Sequence, residues 1–262
     1  MSAEGIRIEQ RGPIVVVTLD RPPANAIDPV ASRALGRAFD AFASDEGARV
    51  AVLTGAGERF FSAGDDLKAT AEAGSSPVDY GSGGFGGITE RFDLDKPVIA
   101  ALNGMAVGGG FEMALACDLI VAAEHVECFL PEVNIGMMAS SGGFARLPRM
   151  MPLKIAMEML LTGRRMKAGE AARWGLINQV VVAADLMPAA LALAERLCAA
   201  APLAVRATKV CAMDSLEMRV EEAFRGLNDR RWPIYDLMLA SEDMLEGPRA
   251  FVDKRPPRWK ER

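Results

Sequence analysis

Two acids stand where apolar residues would be expected. In "NGMAVGGGFEMALACD", Asn103 to Asp118, a glycine triplet runs into Phe111 and Glu112 and then into an apolar segment. In "FLPEVNIGMMASSGG", Glu132 follows Pro131 in an otherwise apolar neighbourhood. Carboxylates matter here because the usual alternative is nearly absent. The chain has 1 histidine, His125, and no GxSxG elbow, so a Ser-His-Asp arrangement would rest on that residue alone. His125 reads as a surface residue near a strand end. A histidine-rich site is impossible, and no metal is expected. Acid–base work would then fall to carboxylates, Lys, Tyr or Cys.

A helix beginning near Gly109 would point its first backbone N–H groups out of its N-terminus. The positive end of its dipole is focused there, and glycine lets a ligand approach the backbone. Such a place suits an oxyanion. Glu112 lies three residues further on, so it shares a face with Gly109. A carboxylate and a backbone donor would then face one cavity. The competing reading is that Glu112 merely complements the helix dipole. A second turn of this kind is "GERFFSAGDDLK", Gly57 to Lys68, where Ala63 and Gly64 again allow close approach. Its competing reading is an ordinary loop with Asp65 or Asp66 capping a helix.

The elements that must position these residues can be read from periodicity. "IRIEQRGPIVVVTLD" reads as two strands about a Gly12–Pro13 turn. "NAIDPVASRALGRAFDAFASD" has helical spacing at Val30, Leu35, Ala38 and Phe42, with Asp28 as N-cap before Pro29. "RVAVLTGAG", "KPVIAALNG" and "DLIVAAE" are short apolar strands, and "VGGGFEMALAC" is a helix opened by glycines. This alternation predicts an α/β fold with covered sheets. Beyond Pro152 the chain reads as mostly helical, interrupted by the strand-like "LINQVV"; "LAVRATKVCAMDSLEMRVEEAFRGLN" is among its helical stretches. A soft boundary falls near residue 200. "EAGSSPVDYGSGGFGG", Glu72 to Gly87, reads as a mobile Gly/Ser loop. It contains GxGxxG at Gly81, Gly83 and Gly86, but lacks both the preceding strand and the later acid of a dinucleotide site.

Composition narrows the classes. The chain of 262 residues is half hydrophobic and a quarter charged, with a net charge of -5. That length suits one large domain, or a core with an appended helical piece. Without a basic block, no nucleic-acid partner is expected. Cys117, Cys128, Cys198 and Cys211 form no CxxC pair, which suggests free thiols in a reducing compartment. No secretory leader and no membrane-length apolar run is visible, so a cytoplasmic protein without a membrane partner is expected.

Taken together and in order, "FFSAGDDL", "NGMAVGGGFE" and "LPEVNIG" resemble the crotonase family, the enoyl-CoA hydratase/isomerase superfamily. The likeness extends from "VVVTLDRPPANAID" through "LTGRRMKAGEAARWGLIN" to "AFVDKR". Within the family, "GGFGGITERFDLDKPVIAALNG" and the tail "SEDMLEGPRAFVDKRPPRWKER" look most like its carnitinyl-CoA dehydratases, or crotonobetainyl-CoA hydratases. The resemblance implies a spiral of ββα units (residues 1–200, an acyl-CoA-binding core). It implies a C-terminal helical region (201–262) for trimerisation and active-site cover, the trimer often doubled to a hexamer. By position, the oxyanion-hole N–H groups fall on Asp65 and Gly109, and the acid/base pair on Glu112 and Glu132. Ala63, Gly64, Asp66, Phe251 and Lys254 match CoA-contacting positions, the last two in some relatives from a neighbouring subunit. The implied reaction is reversible hydration of a 2-enoyl-CoA, with coenzyme A carried by the substrate and no other cofactor. A double-bond isomerase is the enzymatic alternative, since isomerases generally manage with the acid at Glu132 alone. The family also has an RNA-binding branch that uses a lysine-rich helix; "PVASRALGRAFDAF" offers only Arg33 and Arg37 there, offset by Asp40. Asp65 is a departure: the position is often Ala, and Trp is expected in the carnitinyl-CoA branch.

Overall fold

A computed structural model describes residues 4–67 and 79–261. The chain opens with β1 (Ile6–Arg11) and β2 (Ile14–Leu19), an antiparallel pair about the predicted Gly12–Pro13 turn. Helix α1 (Pro29–Ser44) follows, its Asp28 side chain accepting from the Ala31 N–H at 2.8 Å as an N-cap. Such caps contribute about 1 kcal/mol. The buried stripe of α1 is Ala31, Ala34, Leu35, Ala38, Phe39 and Phe42. Val30, expected inside, is half exposed in the first turn.

Strands β3 (Val50–Gly55), β5 (Val98–Leu102), β7 (Leu119–Ala123) and β10 (Gln179–Val181) extend the first sheet in parallel beyond β2, in the order β1-β2-β3-β5-β7-β10. Strands β4 (Phe60–Ser62), β6 (Met105–Val107), β8 (Glu127–Phe129) and β9 (Met166–Lys167) form a second sheet in that order. The chain thus places successive strands in alternate sheets: β3 then β4, β5 then β6, β7 then β8. Helix α2 (Gly109–Ala116) follows the second of these pairs. This is the repeated ββα unit that the resemblance to the crotonase family implies.

The apolar strands read as continuous runs because both faces of the first sheet are covered. Val15, Val17, Ala51 and Leu53 turn to the main core, packed with α1 and α2. Ile14, Val16, Val50 and Val52 turn the other way, beneath Leu186, Ala190 and Ala194 of helix α6 (Leu186–Cys198).

Among the described residues the remaining helices are α3 (Gly143–Met150), α4 (Leu153–Thr162), α5 (Ala168–Arg173), α7 (Pro202–Ser215), α8 (Val220–Asn228), α9 (Pro233–Ala240) and α10 (Asp243–Val252). The stretch from Leu203 to Asn228 is therefore two helices, broken between Ser215 and Val220. Helices α6 and α7 meet at 101° near residue 200. Among the described residues no single helix is long and apolar enough to cross a membrane.

Candidate active site

The second sheet and α2 converge on the glycine triplet, and the packing explains each glycine. Gly108 has φ +53°, a left-handed conformation, and a Cβ there would stand 2.8 Å from Glu132 Oε1. A Cβ on Gly109 would enter the ring of Phe85 at 2.5 Å. A Cβ on Gly110 would meet the carbonyl oxygen of Ser62, at the end of β4. Side chain, aromatic ring and backbone thus close on three successive residues.

The turn after β4 arrives at the same point. Gly64 has φ +82°, and a Cβ there would lie 2.7 Å from Val107 O and 2.9 Å from Gly109 N. Its conformation is fixed by Ser62, whose Oγ accepts from Gly64 N at 3.1 Å and donates to Asn25 O at 2.8 Å. Ile27 then pairs with this segment: Ile27 N donates to Gly64 O and Asp66 N donates to Ile27 O. Parallel pairing of that pattern turns the N–H of Asp65 to the side away from Ile27. The structure brings Gly64 directly against the start of α2, so the two turns singled out in the sequence form one place.

Glu112 is buried, with 2% of its surface exposed. Its Oε1 accepts from the N–H of Gly143, the first residue of α3, at 2.8 Å. Desolvation pushes its pKa up to about 7, against the opposing pull of that N–H; the nearby Glu132 adds to the rise. Glu132 opens a single 3-10 turn, Glu132–Ile135. Burial raises its pKa too, and its Oε2 is buried without a hydrogen-bond partner. A half-buried carboxylate with one orphan oxygen is a group waiting for a proton or a polar ligand.

The other expected positions divide. Ala63, Gly64 and Asp66 lie in the β4 turn beside Gly109. Asp65 Oδ1 accepts from Tyr80 Oη at 2.8 Å, and Tyr80 stands edge-on to Phe85 with ring centroids 5.0 Å apart. Phe251 and Lys254 are exposed at the end of α10. Residues 72–78 of the expected mobile loop lie outside the described residues. Of the rest, Asp79 and Ser82 are exposed and Gly83 to Gly87 are buried, with Gly87 against Gly36 of α1 and Gly86 against Met113 of α2.

Sequence reasoning assigned no role to Gly143, Tyr80 or Arg146. The only available signal for the first was the "SSGG" that leads into α3. His125 lies exposed in the turn between β7 and β8, as expected. On α1, Arg37 is paired with Glu4, and Arg33 donates to the carbonyl of Asp79.

Comparison with known proteins gives the chain's family. Residues 9–262 match the family model described as enoyl-CoA hydratase/isomerase. The chain is 53% identical over 260 residues to a carnitinyl-CoA dehydratase of Salmonella enteritidis, covering 99% of this chain and 100% of that one. It is 52% identical to the carnitinyl-CoA dehydratase of Salmonella arizonae, over 98% of this chain and 99% of the other. Among solved structures, an enoyl-CoA hydratase from Mycobacterium tuberculosis H37Rv superposes with a TM-score of 0.90 at 41% identity, covering 99% and 100% of the two chains. An enoyl-CoA hydratase from Mycobacterium marinum gives the same TM-score at 42% identity and the same coverage. With a family match across nearly its whole length and relatives above half identity, the chain belongs to the enoyl-CoA hydratase/isomerase family.

Proposed function

We propose that the protein hydrates a 2-enoyl-CoA thioester reversibly, and that its acyl substrate is crotonobetainyl-CoA. The observation that carries the reaction is the placement of two carboxylates, Glu112 buried and Glu132 half-buried, about the Gly108–Gly109 corner: Glu132 on Gly108, and Glu112 one turn into the helix. The thioester oxygen accepts from the N–H groups of Asp65 and Gly109. Glu112, held by the Gly143 N–H, takes a proton from water as the water oxygen bonds to Cβ. The π electrons move toward the thioester oxygen, giving an enolate stabilised by the two donors. Glu132 then delivers a proton to Cα. One proton is gained by Glu112 and one lost by Glu132, so the pair is restored by a single proton exchange and the net change is addition of one water.

An isomerase needs no second acid, so the ionisable Glu112 favours hydration. The test is turnover of crotonyl-CoA, crotonobetainyl-CoA and a 3-enoyl-CoA by the same preparation. Hydration of crotonobetainyl-CoA is the expected result. Exclusive isomerisation of the 3-enoyl substrate would overturn the reaction, and hydration of crotonyl-CoA alone would overturn the acyl assignment.

The acyl assignment rests on the similarity to carnitinyl-CoA dehydratases and makes a demand on Asp65. A trimethylammonium favours a carboxylate or an aromatic face. Asp65, Tyr80 and Phe85 stand together beside the glycine corner. Asp65→Asn keeps the hydrogen bond from Tyr80 but removes the charge. It is expected to lower kcat/KM for crotonobetainyl-CoA at least about tenfold more than for crotonyl-CoA, the equivalent of about 1.4 kcal/mol. Equal losses on the two substrates would show that the carboxylate never meets the cation.

The working form is a trimer or a hexamer of two trimers, with CoA also held by Ala63, Gly64 and Asp66 and by Phe251 and Lys254 of a neighbouring subunit. Support comes from the apolar surface that one chain leaves open. Ile135, Met138, Phe144 and Leu153 are exposed beside the Glu132 turn, and Val220 and Phe224 on α8. Patches of this kind mark interfaces. Sedimentation velocity at micromolar concentration is expected to give a species of three or six chains; an active monomer would refute the assembly.

A further inference from the structure

Arg146 lies on α3, half buried, and has no place in the reaction as written above. Its side chain folds back over the turn that begins its own helix. A Cβ on Gly142 (φ +114°) would run into Arg146 Nη1. The backbone N–H of Arg146 donates to Gly142 O at 2.8 Å. Across the site, Arg146 Nη2 donates to the carbonyl oxygen of Thr89 at 2.7 Å, and the guanidinium lies over the ring of Phe92. Thr89 belongs to the packed segment that also carries Phe85, the ring set against Gly109. One cation therefore ties the Gly142–Gly143 turn to the wall of the glycine corner. The next residue along that turn, Gly143, donates to Glu112 Oε1.

We propose that Arg146 is a positioning residue for the hydration: it clamps the Gly142–Gly143 turn so that the Gly143 N–H stays on Glu112, and it sets a fixed positive charge behind that carboxylate. The inference rests on the reading of Glu112 as the base. Room for motion at this turn is small. A Cβ on Gly143 would stand 3.1 Å from Glu112 Oε1 and 2.9 Å from Ala139 Cβ, so the turn meets the carboxylate at one spacing only. A flexible or merely polar residue at 146 would not hold it there, because arginine's planar guanidinium packs against Gly142 while donating to the Thr89 carbonyl.

The charged groups around the pair can be named. Glu112 faces Glu132 from the 3-10 turn and Arg146 from α3. Arg146 faces Glu112, Glu90 and, at the C-cap of α2, the neutral thiol of Cys117. Removing the arginine leaves Glu112 with Glu132 as its only charged neighbour among these. The ionised form of Glu112 is then less favoured, and the acidic limb of the rate profile must move to higher pH.

The experiment compares kcat, KM and the pH profile of kcat/KM for the parent, Arg146→Lys and Arg146→Met. Arg146→Met is expected to lower kcat about 10-fold or more, change KM less than about 3-fold, and move the acidic limb up by about half a unit or more, since loss of an attractive charge raises a carboxylate's pKa. Arg146→Lys keeps the charge but not the fork, so its limb should stay near the parent's while kcat remains reduced. A role confined to folding would lower thermal stability in Arg146→Met and leave both limb and per-site kcat unmoved; that result overturns the proposal. Should Arg146→Met fail to fold, Arg146→Lys decides: parent-like kcat overturns the clamp and reduced kcat at unchanged KM supports it. Glu112→Gln, run alongside, keeps the two readings apart. If it retains the acidic limb, Glu112 is not the base; if it loses the limb while Arg146→Met leaves it in place, only the arginine proposal fails.

Discussion

Glu112→Gln is expected to lower kcat at least about 10²-fold, the usual worth of a positioned general base, and to stabilise the fold above neutral pH. The two effects share one origin. The carboxylate is buried against desolvation and near Glu132, so its pKa is raised from 4.5 to about 7. A base must be ionised, so parent kcat/KM should climb through a midpoint near that value, and the variant should lose the climb. For stability the sign is opposite. A group whose folded pKa lies above its unfolded value contributes fully below the unfolded value, near pH 4.5, and that contribution is lost as pH rises through about 7. At about 1.4 kcal/mol per unit, the ionised side chain costs on the order of 3 kcal/mol at pH 8. Glutamine keeps an acceptor for the Gly143 N–H without the charge. Glu132→Gln should lose as much kcat, because its buried Oε2 has no other partner in the site, but it should retain the acidic limb. Denaturant midpoints at pH 5 and pH 8, with kcat from the same preparations, check all of this. Activity surviving in both single variants would remove the acid/base pair.

Why the pair could be found in the sequence, and its support could not, is a matter of distance along the chain. Glu112 stood out because a glycine triplet and an apolar helix flank it locally. The central strands of the first sheet were legible as unbroken apolar runs because they are covered on both faces, as Val15 and Val16 are by opposite layers. Gly143 is 31 residues from the carboxylate it holds, and no local pattern marks such a contact. Arg146 reads in sequence as one more helical cation. The Gly/Ser stretch misled for a different reason. Composition reports that glycine is present, not whether it serves freedom or close packing. At Gly86 and Gly87 it serves packing, since a methyl group would collide with Met113 and with the backbone of α1. Val30 fits the apolar period, yet the buried stripe of α1 runs through Ala31, Leu35, Ala38 and Phe42 and leaves Val30 half exposed beside it.

Gly64→Ala is expected to lower kcat about 10²-fold or more, the worth of one oxyanion donor, although no functional side chain is altered. A Cβ at this position would lie 2.7 Å from Val107 O and 2.9 Å from Gly109 N. Both are backbone atoms, so relief can come only from moving the β4 turn away from the start of α2. That movement separates the N–H groups of Asp65 and Gly109, which must reach one oxygen together. The substitution also forces alanine to φ +82°, so strain alone has to be separated from geometry. Gly57 supplies the control. It has φ +81° and lies in the loop just before β4, with nothing within 4 Å of where its Cβ would stand. Gly57→Ala should cost about 1 kcal/mol of stability through the same backbone strain and leave kcat near the parent value. The comparison is therefore between two alanines with equal strain and unequal contact. If both variants lose stability and only Gly64→Ala loses kcat, the close approach of the two turns is what stabilises the enolate. If Gly64→Ala turns over within a few-fold of Gly57→Ala, the donors do not act as a pair, and the thioester oxygen must be held elsewhere.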